Sequence, residues 1–366
     1  MIKVTLTNEI LRYITEIEQN RYKVSSVKLS KTVMNKLRKN SKKKSSYASN
    51  KIEGNPLSEK QVNEVIESDE RKHYLKPEQE VRNYFLALNY LEEKVKNKEK
   101  FSKQLILDVQ KLVEKGASKE KIGLRGPMPP GVLFAVYDSK TGNPDYIPPE
   151  YCDIPGLLDE LVEYVNTTDD HPLIVAAVVH YQLVTIHPFE DGNGRTARLL
   201  SGYIMDLNGY GFNGIGSLEE YFAYDIDEYY ESIQMGLPAL YYSGRENPPH
   251  PEIWINYFLR MVKLYSGKVC DLQLASEEED IAGSLSFLKG KEKELLLFLM
   301  KNYRGEFTPI EISRELSVTN KTIINRLMVL VKNGFVIPIL VNKRIRFYEL
   351  SEFTRDHEKE IMKAIG

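Results

Sequence analysis

Apolar residues recur at three- and four-residue intervals along most of this 366-residue chain, a spacing that predicts helices. Val81, Phe85, Leu88 and Leu91 share one face. Leu105, Val109 and Leu112 repeat the pattern, and so do Leu158, Leu161, Val162 and Val165. Over residues 173–186 the apolar run is almost continuous for 14 positions, which suits a helix buried on all sides and is too short to span a bilayer. Another helix is expected over 195–207. Two stretches break the helical period. Residues 123–151 are dense in Gly and Pro, with an apolar run at 132–137 and turn residues at 138–144, which reads as a hairpin-like flap over 131–146. After residue 289, three helical patterns precede two β-rich segments around Asn342 and Lys343, the order of a winged helix-turn-helix.

These patterns predict a mainly α protein divided into an N-terminal helical region over 1–78, a core over 79–270, a linker over 271–288, a winged helix over 289–352 and a tail over 353–366. The linker is placed on an acidic run followed by Gly283. With 42% hydrophobic and 28% charged residues the chain has a globular composition, which excludes global disorder. A formal net charge of −2 leaves no whole-chain argument for polyanion binding. Residues 289–366 differ, with 15 Lys and Arg against 10 Asp and Glu, so DNA contact is one reading of that module. Thr319, Asn320, Lys321 and Arg326 would then lie on its recognition helix, and Lys343, Arg344 and Arg346 on its wing. The basic cluster from Lys36 to Lys44 is expected to be a solvated helix face. Cys152 and Cys270 suggest neither a disulfide framework nor a thiolate zinc site. The N-terminus carries acidic and polar residues where a signal peptide is apolar, so a cytoplasmic protein with no membrane partner is expected.

His-Pro occurs at His171, His187 and His250, but only His187 continues as His-Pro-Phe-Glu-Asp-Gly-Asn-Gly-Arg-Thr-Ala-Arg. A turn of Gly192, Asn193 and Gly194 lets backbone N–H groups approach a phosphate closely, at the positive end of the following helix. Arg195 and Arg198, three apart on that helix, can lean toward the same anion. Asp191 offers the hard oxygen that Mg²⁺ prefers, and His187 titrates near neutrality, as a proton acceptor should. Gly192, Gly194 and Ala197 also fit a dinucleotide fingerprint, but a helical pattern precedes them where that fold needs a strand.

Residues 187–198 resemble the signature of the Fic family, His-Pro-Phe-x-[Asp/Glu]-Gly-Asn-Gly-Arg-x-x-Arg, at all nine specified positions. The similarity extends over roughly residues 80–240. The resemblance implies a Fic helical core with a β-hairpin flap and transfer of AMP from ATP to a Ser, Thr or Tyr hydroxyl of a target protein, the chain itself included. It makes His187 the general base and Asp191 the Mg²⁺ ligand. The 192–194 turn and Arg195 would hold the α- and β-phosphates, and Arg198 the γ-phosphate. Ser49-Asn50-Lys51-Ile52-Glu53-Gly54 is similar to the family's inhibitory motif, which implies that Ser49 and Glu53 lie on an inhibitory helix and that Glu53 pairs with Arg198. Tyr229 and Tyr230 are candidates to line the adenine pocket. The family's kinase-like branch has Lys where this chain has Gly194, which favours AMP as the transferred group. Transfer of another phosphate-linked group, removal of AMP, and a DNA-binding regulator with a nucleotide-sensing core are the alternatives. Self-association is a further expectation.

Overall fold

Helix α7 (Pro172–Ile186) owes its ends to its sequence. The His171 imidazole accepts the Leu173 N–H at 3.3 Å, and Pro172 sits in the first turn, where its missing donor costs nothing. Every residue of α7 except Pro172 and Val184 is buried, as its apolar run predicts. The computed structural model describes the whole chain apart from residues 1, 28, 30, 70, 119–121, 138–141, 236–247, 249, 342–343 and 366. Met1–Val24 and Lys36–Cys270 form one compact unit, and Ser25–Asn35 with Asp271–Gly366 form the other.

In chain order the elements before α7 are α1 (Asn8–Ser26), α2 (Lys31–Ile52), α3 (Glu59–Glu67), α4 (Lys76–Lys96), α5 (Lys103–Glu114), β1 (Val136–Tyr137), β2 (Pro144–Tyr146) and α6 (Ile154–Thr167). After it come α8 (Asn193–Leu207), a 3₁₀ turn (Phe212–Gly214), α9 (Glu219–Phe222), α10 (Ile226–Gln234) and α11 (Glu252–Ser286). Helix α8 packs along α7, and α4 and α5 pack on α8. Trp254 of α11 closes the other side, its Nε1–H donating to the Ala177 carbonyl at 2.8 Å. The flap is an antiparallel pair, Val136 opposite Tyr146 and Tyr137 opposite Pro144. Its expected turn at 138–141 lies outside the described residues.

The basic cluster of α2 is a solvated face only in part: Lys36 and Lys39 are exposed, and the others meet protein. Lys43 is buried and paired with Glu67, Lys42 bonds Glu92 and Asn89, Lys44 meets Glu220 at 3.1 Å, and the Arg38 Nε–H donates to the Asn213 carbonyl at 2.6 Å. Alternation of Lys and Ser looked solvated because the acidic partners lie 24 to 176 positions away in the chain. These contacts join α2 to the core as one body, with no break near residue 78.

The expected linker is helical as far as Ser286, because α11 continues through it. The second unit then contains α12 (Gly290–Asn302), α13 (Pro309–Glu315), α14 (Asn320–Lys332), and an antiparallel hairpin of β3 (Val336–Val341) and β4 (Arg344–Leu350), the order the sequence predicts. Thr308 and Glu311 cap α13 reciprocally, and Thr319 caps α14. The expected tail is instead two short helices, α15 (Glu352–Asp356) and α16 (Glu358–Ile365), and Ile361 joins the same core as Leu296, Phe307, Leu327 and Phe335.

Candidate functional site

The turn between α7 and α8 is shaped by side chains that bond back to it. His187 ends α7 in the left-handed region, φ 50°, a conformation uncommon for a residue with a side chain, and its N–H donates to the Leu183 carbonyl at 3.0 Å. Asn193 clasps the turn: its Oδ1 accepts the Phe189 N–H at 3.0 Å and its Nδ2 donates to the Phe189 carbonyl at 2.9 Å. The Asn193 side chain is therefore committed to the loop, leaving only its backbone to meet an anion. Gly192 adopts φ 82° before the first turn of α8, and a Cβ there would stand 2.7 Å from Glu114 Oε1. Glycine is needed for both reasons.

His187 Nδ1–H donates to the Val184 carbonyl at 3.3 Å, which leaves the lone pair on Nε2. Burial lowers the imidazole to about 4, helped by the Arg125 charge and opposed by its backbone bond, Glu53 and Asp191. His187 is thus neutral at pH 7. Arg125 holds the turn from behind, donating from its backbone N–H to Pro188 at 2.9 Å, from Nε to the His187 carbonyl at 2.9 Å, and from Nη2 to the Pro149 carbonyl. It thereby ties the His187 turn to the end of the flap. Nothing in its Gly-Leu-Arg-Gly context singled Arg125 out.

The two arginines of α8 have different surroundings. Arg195 Nη2 lies 2.9 Å from Glu114 Oε1 and 3.2 Å from Asp191 Oδ1, while its buried Nε and Nη1 lack hydrogen-bond partners among the described residues. Burial raises the Glu114 carboxyl to about 7, with Asp191 and Glu80 adding to the rise and Arg195 opposing it. Glu114 was also missed, since it lies 81 positions from Arg195 in a plain amphipathic helix. Arg198 is 3% exposed and fully occupied. Its Nε donates to Ser49 Oγ at 2.8 Å, its Nη2 to the Ser49 carbonyl at 3.1 Å and to Glu53 Oε1 at 2.6 Å, and its Nη1 to the Tyr229 hydroxyl at 3.4 Å. Burial works to lower its pKa, but Glu53 and the neighbouring tyrosines outweigh that and hold it above the ordinary guanidinium value.

Glu53 follows the last residue of α2, and its carboxylate covers the first turn of α8. A Cβ built on Gly194 would collide with Glu53 Oε1. That is where a helix N-terminus receives an anion. Behind Arg198 the Tyr229 hydroxyl bonds His180 Nε2 at 2.8 Å. Tyr229 is 1% exposed, enclosed by His180, Phe222 and Trp254, so it supports Arg198 and cannot line an open adenine pocket. Tyr230 is 42% exposed, and both burial and the Glu53 charge push its hydroxyl above the ordinary value, so it borders the site.

A histidine, a carboxylate and a helix N-terminus covered by Glu53 meet at one end of α8 on a helical core, an arrangement able to receive an anion beside a proton acceptor once Glu53 has moved. Residues 35–205 match the Fic/DOC family model. The chain is 28% identical over 202 residues to the protein adenylyltransferase Fic of Aedes aegypti, covering 53% of this chain and 38% of the relative. It is also 28% identical over 201 residues to that of Nematostella vectensis, covering 53% and 44%. It therefore spans well under half the length of these curated relatives. Among solved structures, a Fic family protein from Desulfovibrio desulfuricans aligns with a TM-score of 0.59 at 19% identity, covering 96% of this chain and 98% of the other. Fic-1 from Caenorhabditis elegans aligns at 0.55 and 24%, covering 73% and 72%. These likenesses establish the fold.

Proposed function

We propose that the protein is an adenylyltransferase that moves AMP from ATP to a hydroxyl of a target protein, and that Glu53 holds it inactive. The observation that carries this is the Glu53 carboxylate, which lies over Gly194 and 2.6 Å from Arg198 Nη2. A triphosphate seated on the first turn of α8 needs both places. With Glu53 there, the γ-phosphate loses its guanidinium and meets a like charge, so the α-phosphorus is displaced from the line of attack.

In the released state the neutral His187 accepts the proton of the target hydroxyl at Nε2. The hydroxyl oxygen forms a bond to the α-phosphorus, and the bond from that phosphorus to the bridging oxygen breaks, releasing pyrophosphate. Backbone N–H groups of residues 192–194 and the Arg195 guanidinium orient the phosphates, and Arg198 takes the γ-phosphate. The Asp191 carboxylate, beside a helix N-terminus and 3.2 Å from Arg195 Nη2, fits Mg²⁺, which prefers one or two carboxylates plus phosphate oxygens; Asp191 would hold it, and it would neutralise phosphate charge. The β1–β2 flap is suited to main-chain pairing with the target segment.

The direct test is transfer of label from the α-phosphate of ATP with Mg²⁺, comparing the native chain, Glu53→Gly, and Glu53→Gly with His187→Ala. Strong labelling in the single variant alone supports both transfer and inhibition. No labelling of the chain or of added proteins by Glu53→Gly, when it binds ATP, refutes AMP transfer.

The second unit, read as a winged helix, supports a DNA-contact alternative through exposed Lys321, Arg344 and Arg346. Lys343 lies outside the described residues, and Thr319 is occupied as a helix cap. A mobility shift on mixed duplex DNA that weakens with salt would favour this reading for that unit.

A further inference from the structure

The last turn of α8 opens on a cavity that reaches Arg198 at one side and whose other walls the proposed reaction does not use. Its volume is about 420 Å³, within the range of small-molecule sites. Apolar walls come from Leu88 of α4, Met205 of α8, Phe212, Phe222 and Tyr265 of α11, and the remaining wall is the N-terminal half of α2. Gly202 faces the space, since a Cβ there would meet nothing within 4 Å.

One charge in this wall is unanswered. Glu219 accepts hydrogen bonds from Ser45, Tyr84 and Ser217, Glu92 pairs with Lys42, and Arg38 donates to the Asn213 carbonyl. The Asp206 carboxylate has no hydrogen-bond or ion-pair partner among the described residues. Its side chain is exposed, yet enclosure raises its carboxyl to about 7, with Glu219 and Glu92 adding to the rise and Lys42 opposing it. Both facts hold if the surface it exposes faces the cavity rather than bulk water. The adjoining loop presses on it, because a Cβ on Gly211 would overlap Asp206 Oδ1. The basic residues that also line the cavity are engaged, Arg38 by the Asn213 carbonyl, Lys42 and Lys96 by Glu92, and Arg198 by Glu53, and a hydrated metal ion fits poorly in a largely apolar lining with one unpaired carboxylate. An organic cation fits both, since aromatic rings attract positive charge as well as apolar surface.

We propose that this cavity binds a small organic cation with an apolar body, an amine, amidine or guanidine whose charge meets Asp206 and whose body lies against Phe212, Phe222 and Tyr265, and that the bound molecule keeps α2 docked. The second half rests on the reading of Glu53 as inhibitory. A ligand touching both α2 and the core binds the docked arrangement more tightly than any in which α2 has moved, and so shifts the population toward it. The same coupling works in reverse: loosening α2 weakens the ligand by the same factor.

Isothermal titration calorimetry of the full chain at pH 8, without ATP, tests this with benzamidine against its neutral isostere benzamide. Benzamidine should bind at least tenfold more tightly than benzamide. Asp206→Asn, which removes the charge, and Gly202→Leu, which fills the space, should each weaken benzamidine at least tenfold while melting cooperatively. No benzamidine binding, equal binding of the two probes, or benzamidine binding that survives either variant overturns the site. Glu53→Gly should weaken benzamidine severalfold, and an unchanged affinity there overturns the coupling. Failure of the transferase reading would appear only in the label-transfer assay, since calorimetry without ATP does not depend on it.

Discussion

The two ends of α8 each have a carboxylate, and they treat it differently. At the first turn Glu53 meets the Arg198 guanidinium at 2.6 Å over a helix N-terminus, where the backbone dipole favours negative charge. At the last turn no cation pairs with Asp206 among the described residues, and the dipole there disfavours its charge. The first carboxylate is answered by a guanidinium and, in the proposed function, blocks a site. The second is held partly protonated near neutral pH and is open to a partner. The charge alone does not decide the role; what has already answered it does.

The largest effect is expected at the proton acceptor beside the first turn. Adding His187→Ala to Glu53→Gly should lower label transfer by roughly 10²- to 10⁴-fold, the usual contribution of a positioned base. Next, Glu53→Gly alone should raise transfer on the order of 10²-fold over the native chain, as expected when a misplaced reacting group is put right. Because His187 is held near 4, transfer by Glu53→Gly should show no titration of this group between pH 6 and 8 and should fall only as pH approaches 4. A half-maximal rate near pH 6.5 would mean the imidazole is solvated.

The other end predicts a stability effect. Burial raises the folded Asp206 carboxyl to about 7, above its ordinary value of 3.8, so the folded state binds more protons between those values. The stability this contributes is complete below the unfolded value and is lost as pH rises through 7. Asp206→Asn should therefore melt higher than the native chain at pH 8 and alongside it near pH 4. Equal melting at both pH values would show the carboxylate to be solvated. The smallest change is expected for Tyr229→Phe, which removes one bond to Arg198 and one to His180. A loss of about 1 kcal/mol per hydrogen bond should lower the melting temperature, with transfer by Glu53→Gly changed less than by His187→Ala.

The helical core and the 187–198 turn were legible because their information is local. A 3.6-residue period survives in the apolar positions of α4, α5, α6 and α8, an unbroken apolar run marks α7, and a phosphate-binding turn must place its glycines and arginines within one loop and the next helix turn. Glu53 was legible through its own short motif, although it meets Arg198 across 145 positions. The partners without a motif were not. Arg125, Glu114 and the acidic residues that answer the lysines of α2 act through folding, and their sequence surroundings are those of any amphipathic helix or loop. Asn193 and Tyr229 were found, but the work of their side chains was not. Their side chains face protein, one closing the turn and the other supporting Arg198, and only the packing reveals which way a side chain within a motif points.

Trp254 is the chain's single tryptophan. Its indole is fully buried, its ring centroid 4.9 Å from that of His180, which bonds the tyrosine that touches Arg198. The molecule thus carries an intrinsic fluorophore at the far end of the chain that begins at Glu53. Displacement of Glu53 from Arg198 can be followed as a change in emission intensity in the unlabelled native protein.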